Sequence, residues 1–185
     1  MWGGVVNFKL ERNEPYSYER VIECVGKRIL MCKIRVSKGK YLFSKHIYYN
    51  NKEKPENATV PPLDISVASS NGLIQQITFF ITEPCAICGM PRLSFRQHEG
   101  FICVEDERFT TSDELDLVGI FRPYFYKSSL CICNNHLPDD KMIDMYSLGT
   151  SNQIGFDNKG NLVKLVMNNI IQKEYKQMID AGVIG

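Results

Sequence analysis

Residues 64–81 read DISVASSNGLIQQITFFI, and this stretch decides the fold class. Polar and apolar side chains alternate over residues 64–68, ahead of a Ser-Ser-Asn-Gly sequence, and such alternation is typical of half-buried β-strands. Asn71-Gly72 favours a tight turn because both residues tolerate the positive φ values of a type I′ turn. The stretch therefore predicts a β-hairpin with strands at residues 64–68 and 73–81.

The sequence upstream of this hairpin also has the pattern of strands joined by turns. Short alternating segments are separated by glycine-containing turns, and one polar segment contains three prolines. Because consecutive hairpins usually pair with their neighbours, we expect residues 1–82 to form a meander. The predicted strands are residues 5–10, 20–25, 29–36 and 41–49, with turns at 26–27 and 37–40 and an exposed loop at 50–62.

A second clear hairpin lies near the C-terminus, where residues 154–167 read IGFDNKGNLVKLVM. The five residues from Asp157 suit a type I turn with a glycine in the left-handed region. Apolar residues then recur at helical spacing over residues 169–181, and Gly182 is a suitable C-cap. The pattern predicts a C-terminal helix, and no internal repeat of fixed period is visible.

Residues 84–136 lack this regularity. Thr111 to Glu114 could cap a short helix that ends near Val118, Pro123 predicts an edge strand or a loop, and residues 129–133 alternate like a strand. We therefore predict an α+β fold of mainly antiparallel hairpins, with a C-terminal helix and an irregular, cysteine-containing middle segment. One domain is expected over residues 1–185, divided into a meander half at 1–82 and a cysteine-containing half at 84–185.

Composition narrows the functional classes. The net charge is +1, so no overall field attracts nucleic acid, and a nucleic-acid partner is not expected. No apolar run is long enough to span a membrane, and no secretory leader is recognisable, so we expect a cytoplasmic protein. The cysteine count is odd, at seven, which favours reduced thiols over a disulfide framework.

Two cysteine motifs could bind a metal. Cys85 and Cys88, in CAICG, have the spacing of a zinc knuckle, in which glycine permits a tight turn around the metal. Cys131 and Cys133, in CICNNH, could complete a tetrahedral site, since alternate residues of a strand share one face, or one of these thiolates could act together with His136. Cys103 is a reserve ligand. We predict a possible structural zinc from this pattern. The alternative is that these cysteines are small apolar residues of a reduced core.

The two motifs also resemble those of treble-clef or HNH-type nucleases, in which a Cys-x-x-Cys-Gly knuckle precedes a second cysteine pair. The spacing of Cys131 and Cys133 departs from that pattern, and only His98 lies between the motifs, so a metal-bound general base is missing. A zinc protein that acts on or binds nucleic acid is the alternative function.

Aromatic residues mark a candidate contact surface. Tyrosine and arginine are favoured in protein interfaces because they combine a large buried area with hydrogen bonding. Core packing is the alternative role for most of these side chains. The candidate partner-binding residues are Tyr48, Tyr49, Arg122, Tyr124 and Tyr126.

In the pattern of its two hairpins at residues 64–81 and 154–167, the chain resembles the bacterial immunity proteins of polymorphic toxin systems. These are small cytoplasmic domains that neutralise a cognate toxin by binding it. The resemblance implies a non-enzymatic protein-binding module with a toxin as its partner, and it assigns no individual residue a role.

Overall fold

A computed structural model describes residues 8–11, 17–37, 43–50, 63–99, 101–138 and 141–185. This part of the chain is mostly β, with a single α-helix at its C-terminal end. The predicted predominance of β-strands and the C-terminal helix are confirmed, whereas the α+β class is not, because this one short helix contributes the only α-helical residues described. The elements, in chain order, are β1 Phe8–Glu11, β2 Tyr18–Gly26, β3 Ile29–Val36, β4 Ser44–Asn50, β5 Leu63–Ala68, β6 Ile74–Ile81, β7 Ser94–His98, β8 Phe101–Val104, β9 Glu114–Val118, β10 Phe121–Tyr126, β11 Ser129–Asn134, β12 Met142–Ser147, β13 Asn152–Phe156, β14 Leu162–Met167 and α1 Gln172–Asp180.

Most strands belong to two six-stranded sheets, and β1 and β8 form a small antiparallel ribbon. Sheet 1 has the order β2-β3-β6-β5-β4-β9, and sheet 2 has the order β10-β11-β14-β13-β12-β7. In both sheets four antiparallel pairs are followed by one parallel edge pair. The first five strands of each sheet therefore follow one order, although the sequence has no visible repeat, and only the chain position of the parallel edge strand differs.

This order departs from a simple meander. Strand β3 pairs with β6 rather than with β4, so β3 to β6 form a Greek key in which the chain crosses over before the next hairpin. The predicted hairpins themselves are confirmed, because the structure pairs β2 with β3, β5 with β6, and β13 with β14. The predicted strands at 5–10 and 41–49, the turn at 37–40 and the loop at 50–62 lie wholly or partly outside the described residues.

Buried side chains from both sheets and the helix form one apolar cluster. Ile34 and Ile77 come from sheet 1, Leu130 and Leu165 from sheet 2, and Met178 from α1. Each is at most 1% exposed. One face of each sheet therefore packs against the other sheet, and this common interior is the main hydrophobic core.

The turn of the β5–β6 hairpin uses glycine in a different way from the one predicted. Only Gly72, with a φ of 71°, has a positive φ there, so the turn is not the type I′ expected at Asn71-Gly72. The Gly72 carbonyl accepts a hydrogen bond from the Val104 amide at 2.7 Å. A Cβ at position 72 would lie 2.0 Å from the Val104 carbonyl oxygen, so the backbones approach too closely for any side chain.

The middle segment is more regular than predicted. Residues 84–136 contain five of the strands, and the helix expected to end near Val118 is instead β9, which follows a short 3₁₀ turn at Glu107–Thr110. The sequence ELDLV of β9 alternates exposed and buried side chains, and it pairs in parallel with β4. Pairing with a strand more than sixty residues away outweighed the local capping signal. Pro123 lies on an edge strand, which is one of the two predicted outcomes.

The C-terminal helix is present, but its apolar residues do not all face the core. Met178 is buried, whereas Ile171, Tyr175 and Ile179 are between 44% and 58% exposed. Gly182 ends the helix with a φ of 66°, as the C-cap prediction requires. With nine residues, α1 is too short to cross a bilayer, and no other α-helix occurs in the described ranges.

Candidate functional site

The outer faces of the two sheets have opposite chemistry although the first five strands of each sheet follow one order. The outer face of sheet 1 presents partly exposed polar side chains, among them Glu19, Lys33 and Thr78. The outer face of sheet 2 is a second apolar cluster that is separate from the main core. Its buried members are Tyr124, Cys131, Cys133, Ile143, Met145, Val163 and Val166.

A chain segment lies over this second apolar face. Residues 84–93, which we call the covering segment, place Ala86, Met90 and Leu93 against the cluster. The amide of Ala86 donates to the Pro123 carbonyl at 3.0 Å, and its carbonyl accepts from the Phe125 amide at 2.9 Å. The segment is thus fixed to the edge of β10 at its start and continues into β7 at its end.

A groove of about 880 Å³ lies between the covering segment and sheet 2. Every strand of sheet 2 contributes at least one lining side chain, so the groove crosses the strands rather than following them. Five spacings of about 4.8 Å give it a length of about 24 Å. The strand residues of the lining are Phe95, Tyr124, Tyr126, Ser129, Cys131, Ile143, Met145, Gln153, Lys164 and Val166.

The charged residues of the lining are all cations. They are Arg92 on the covering segment, Lys127 at the β10–β11 turn and Lys164 on β14, and no aspartate or glutamate lines the groove. Among the described residues, none of the three takes part in an ion pair. Lys127 Nζ lies 5.2 Å from the centre of the Tyr126 ring, a cation–π contact. The groove therefore has an apolar floor and three cations without an ion-pair partner in the described part of the chain.

Two thiols lie on this face of sheet 2. Cys131 and Cys133 share the outer face of β11, as alternation predicts, with Leu130 and Ile132 on the inner face. Burial raises the pKa of the Cys133 thiol to about 12, and the Lys164 ammonium partly offsets that rise. Burial also raises the pKa of Cys131. Both side chains are thiols near neutral pH.

The five predicted metal ligands lie in different surroundings. Cys85 packs in the main core, where burial raises its pKa to about 12. Cys88 and Cys131 both line the groove, Cys88 being exposed, whereas His136 lines a separate cavity of about 280 Å³. Within the described ranges no three cysteine, histidine or acidic side chains are grouped closely enough to hold a metal ion. The zinc site stays a prediction.

The predicted partner-binding residues also lie in different surroundings. Arg122, Tyr124 and Tyr126 lie on the outer face of β10, and the two tyrosines line the groove. Tyr48 lies on the outer face of sheet 1, stacked on His46 with ring centres 5.6 Å apart. Tyr49 is 1% exposed and packs edge-on against Phe121, so in this structure it is a core residue with no surface for a partner.

Sequence reasoning missed the central cation of the groove. Lys164 is a partly exposed residue in LVKLVM, a strand whose other side chains are all buried. A single lysine within such a strand was the available signal, because an uncompensated charge is unfavourable on a buried face.

Two histidine–aspartate pairs were also missed. His46 Nδ1 lies 3.0 Å from Asp64 Oδ1, and His98 Nε2 lies 2.7 Å from Asp144 Oδ1. Asp144 Oδ2 also accepts from Arg96 Nη2 at 3.3 Å, and Arg96 Nε lies 3.0 Å from Asp144 Oδ1 in the same ion pair. Each pair joins two neighbouring strands, and the Asp144 contacts hold the edge strand β7 onto sheet 2.

The fold and site define a two-sheet β-sandwich that carries an apolar, cation-lined groove on one outer face. Comparison of the chain with protein-family models and with curated protein sequences gives no match.

Proposed function

We propose that this chain is a non-enzymatic protein-binding module and that the groove on sheet 2 is its binding surface. The observation that carries the proposal is the chemistry of the groove: an apolar floor beside three cations that have no ion-pair partner among the described residues. Large apolar patches on a protein surface mark interaction sites, and complementary charge gives such sites specificity.

Exposed side chains at the groove support a macromolecular partner. Phe95, Ile87 and Tyr126 are between 52% and 76% exposed, and all three line the groove. Aromatic residues and arginine are enriched in the centres of protein interfaces. The groove lining includes both kinds of residue, namely Tyr124, Tyr126 and Arg92. The resemblance of the hairpins to immunity proteins makes a toxin encoded directly upstream the first partner to test.

A zinc protein that binds nucleic acid is the second candidate, because Cys88 and Cys131 share the groove with its three cations. Metal analysis of the purified chain tests it. About one equivalent of zinc, lost together with stability in Cys88→Ser, supports this function, because Cys88 is the exposed cysteine of the predicted knuckle. Less than about a tenth of an equivalent, with unchanged stability in the variant, contradicts it.

Photo-cross-linking in the native cells tests the first proposal. Benzoylphenylalanine replaces Phe95 in the groove or, as a matched control, Phe80 on the outer face of sheet 1. We expect a single protein adduct from position 95 that is lost when Lys164→Glu is added and kept when Lys33→Glu is added. Equal adducts from both positions, or no adduct at position 95, would contradict the proposal.

A further inference from the structure

The shape of the groove restricts what kind of protein segment it could hold. It is about 24 Å long and crosses all six strands of sheet 2, and an extended chain rises by about 3.3 Å per residue. About seven extended residues would therefore fill it.

The charges in the groove restrict the sequence of that segment. Lys164 lies on β14, the third strand from the β10 edge, while Lys127 lies at the β10–β11 turn. Apolar floor residues lie on both sides of Lys164: Cys131 is on the neighbouring strand towards β10, and Met145 is on β12. A matching ligand has apolar side chains facing the floor and carboxylates opposite the cations.

Strand addition does not account for this ligand at the β10 edge. The backbone of Ala86 already hydrogen-bonds to the Pro123 carbonyl and the Phe125 amide, and proline has no amide hydrogen to donate. A ligand that crosses the strands is recognised through side chains instead, which agrees with the variety of side chains along the floor.

We propose that the groove binds an extended segment of about seven residues of a partner protein, in which apolar residues flank acidic residues that pair with Lys164, Arg92 and Lys127. This inference rests on the proposed function, and it adds the sequence class of the ligand. Acidic peptides are the chosen occupant because the lining offers cations and no carboxylate.

The test uses a random heptapeptide library displayed on phage and the purified full chain. We expect enriched peptides to contain at least one Asp or Glu between apolar residues. The synthetic form of the best peptide should bind at least about tenfold more weakly to Lys164→Glu, because like charges across an interface are strongly unfavourable. Lys33→Glu, a matched half-exposed lysine on the outer face of sheet 1, should bind like the wild type.

A second variant keeps the test independent of folding. Arg92 is exposed on the covering segment, so Arg92→Glu should leave the thermal unfolding midpoint unchanged. Because Arg92 lines the groove, the same variant should bind the peptide more weakly than the wild type does. Enriched peptides without acidic residues, or equal affinities for Lys164→Glu and Lys33→Glu, would overturn the inference. So would displacement of the peptide by palmitate or by single-stranded oligonucleotide at lower concentration than by unlabelled peptide.

The two proposals fail in different ways. If position 95 cross-links to one protein in a Lys164-dependent manner but no heptapeptide is enriched, the groove binds a folded surface, and only the extended-segment inference is wrong. If the cross-link is also absent, the proposed function is wrong.

Discussion

Arg20 on β2 and Glu174 on α1 form a two-point ion pair, in which Arg20 Nε and Nη2 each donate to a different carboxylate oxygen at 2.8 Å. The Arg20 guanidinium also donates to Asn152 Oδ1 on β13 and to the Asn168 carbonyl after β14. A single side chain thereby joins sheet 1, sheet 2 and the helix. Both side chains are only about 10% exposed, so water cannot readily solvate either charge if its partner is removed.

Arg20→Ala should lower the free energy of unfolding by about 3–5 kcal/mol, because it leaves a nearly buried carboxylate without its partner. Denaturant titration measures this. Arg35→Ala is the matched control, since Arg35 pairs with Glu19 on the surface and both side chains are more than 40% exposed. That variant should lose less than about 1 kcal/mol. Similar losses in the two variants would refute the role given to Arg20.

Gly72→Ala should destabilise the chain more than Gly182→Ala does. Both glycines have positive φ, so alanine costs about 1–2 kcal/mol at either position. Only at Gly72 would the new Cβ also collide with the Val104 carbonyl, whereas nothing lies within 4 Å of a Cβ at 182. Thermal unfolding of both variants compares the two costs, and equal effects would contradict the close approach at Gly72.

Cys88 should be the first thiol to react with a maleimide near neutral pH. It is exposed, whereas Cys32, Cys85, Cys103, Cys131 and Cys133 are buried and Cys24 is half-buried. Mass spectrometry of tryptic peptides after brief labelling identifies the modified residue. The labelled chain should also lose its affinity for groove ligands, because Cys88 lines the groove. Labelling that starts at a buried thiol would contradict the described placement.

Stability should fall as the pH rises above 9. Burial raises the thiol pKa of Cys85 and Cys133 from 9.0 to about 12, so the folded state holds these protons more tightly than the unfolded state. Their contribution is complete below pH 9 and is lost as the pH rises towards 12, at about 1 kcal/mol per pH unit for each thiol. Cys133→Ala should reduce this slope in denaturant titrations. An unchanged slope in Cys133→Ala would contradict the prediction.

Local features of the fold could be predicted from the sequence, and long-range features could not. The hairpins around Gly72 and Gly160 depend on neighbouring residues, so alternation and turn chemistry suffice for them. The crossover from β3 to β6 and the parallel pairing of β9 with β4 join distant segments, and alternation does not identify the partner. For the same reason the sequence pattern predicts an irregular segment at residues 84–136, where the structure has five strands.

The candidate site was predictable in part. The sequence predicts partner binding for Tyr124 and Tyr126 and metal binding for Cys88 and Cys131, and all four side chains line one groove. Tyr124 and Cys131 meet across the β10–β11 pair. Cys88 joins them because Ala86 pairs with Tyr124, and no spacing in the sequence indicates that pairing. The contrast between the two outer faces, apolar on sheet 2 and polar on sheet 1, also needs the strand order before it can be recognised.

Hydrogen–deuterium exchange of the chain with and without the protein cross-linked at position 95 tests the central claim most directly. If the groove is the binding surface, amides of the covering segment and of the β10–β11 turn should exchange more slowly in the complex, while those at the edges and turns of sheet 1 stay unchanged. Protection confined to sheet 1, with none in residues 86–93, would contradict the account.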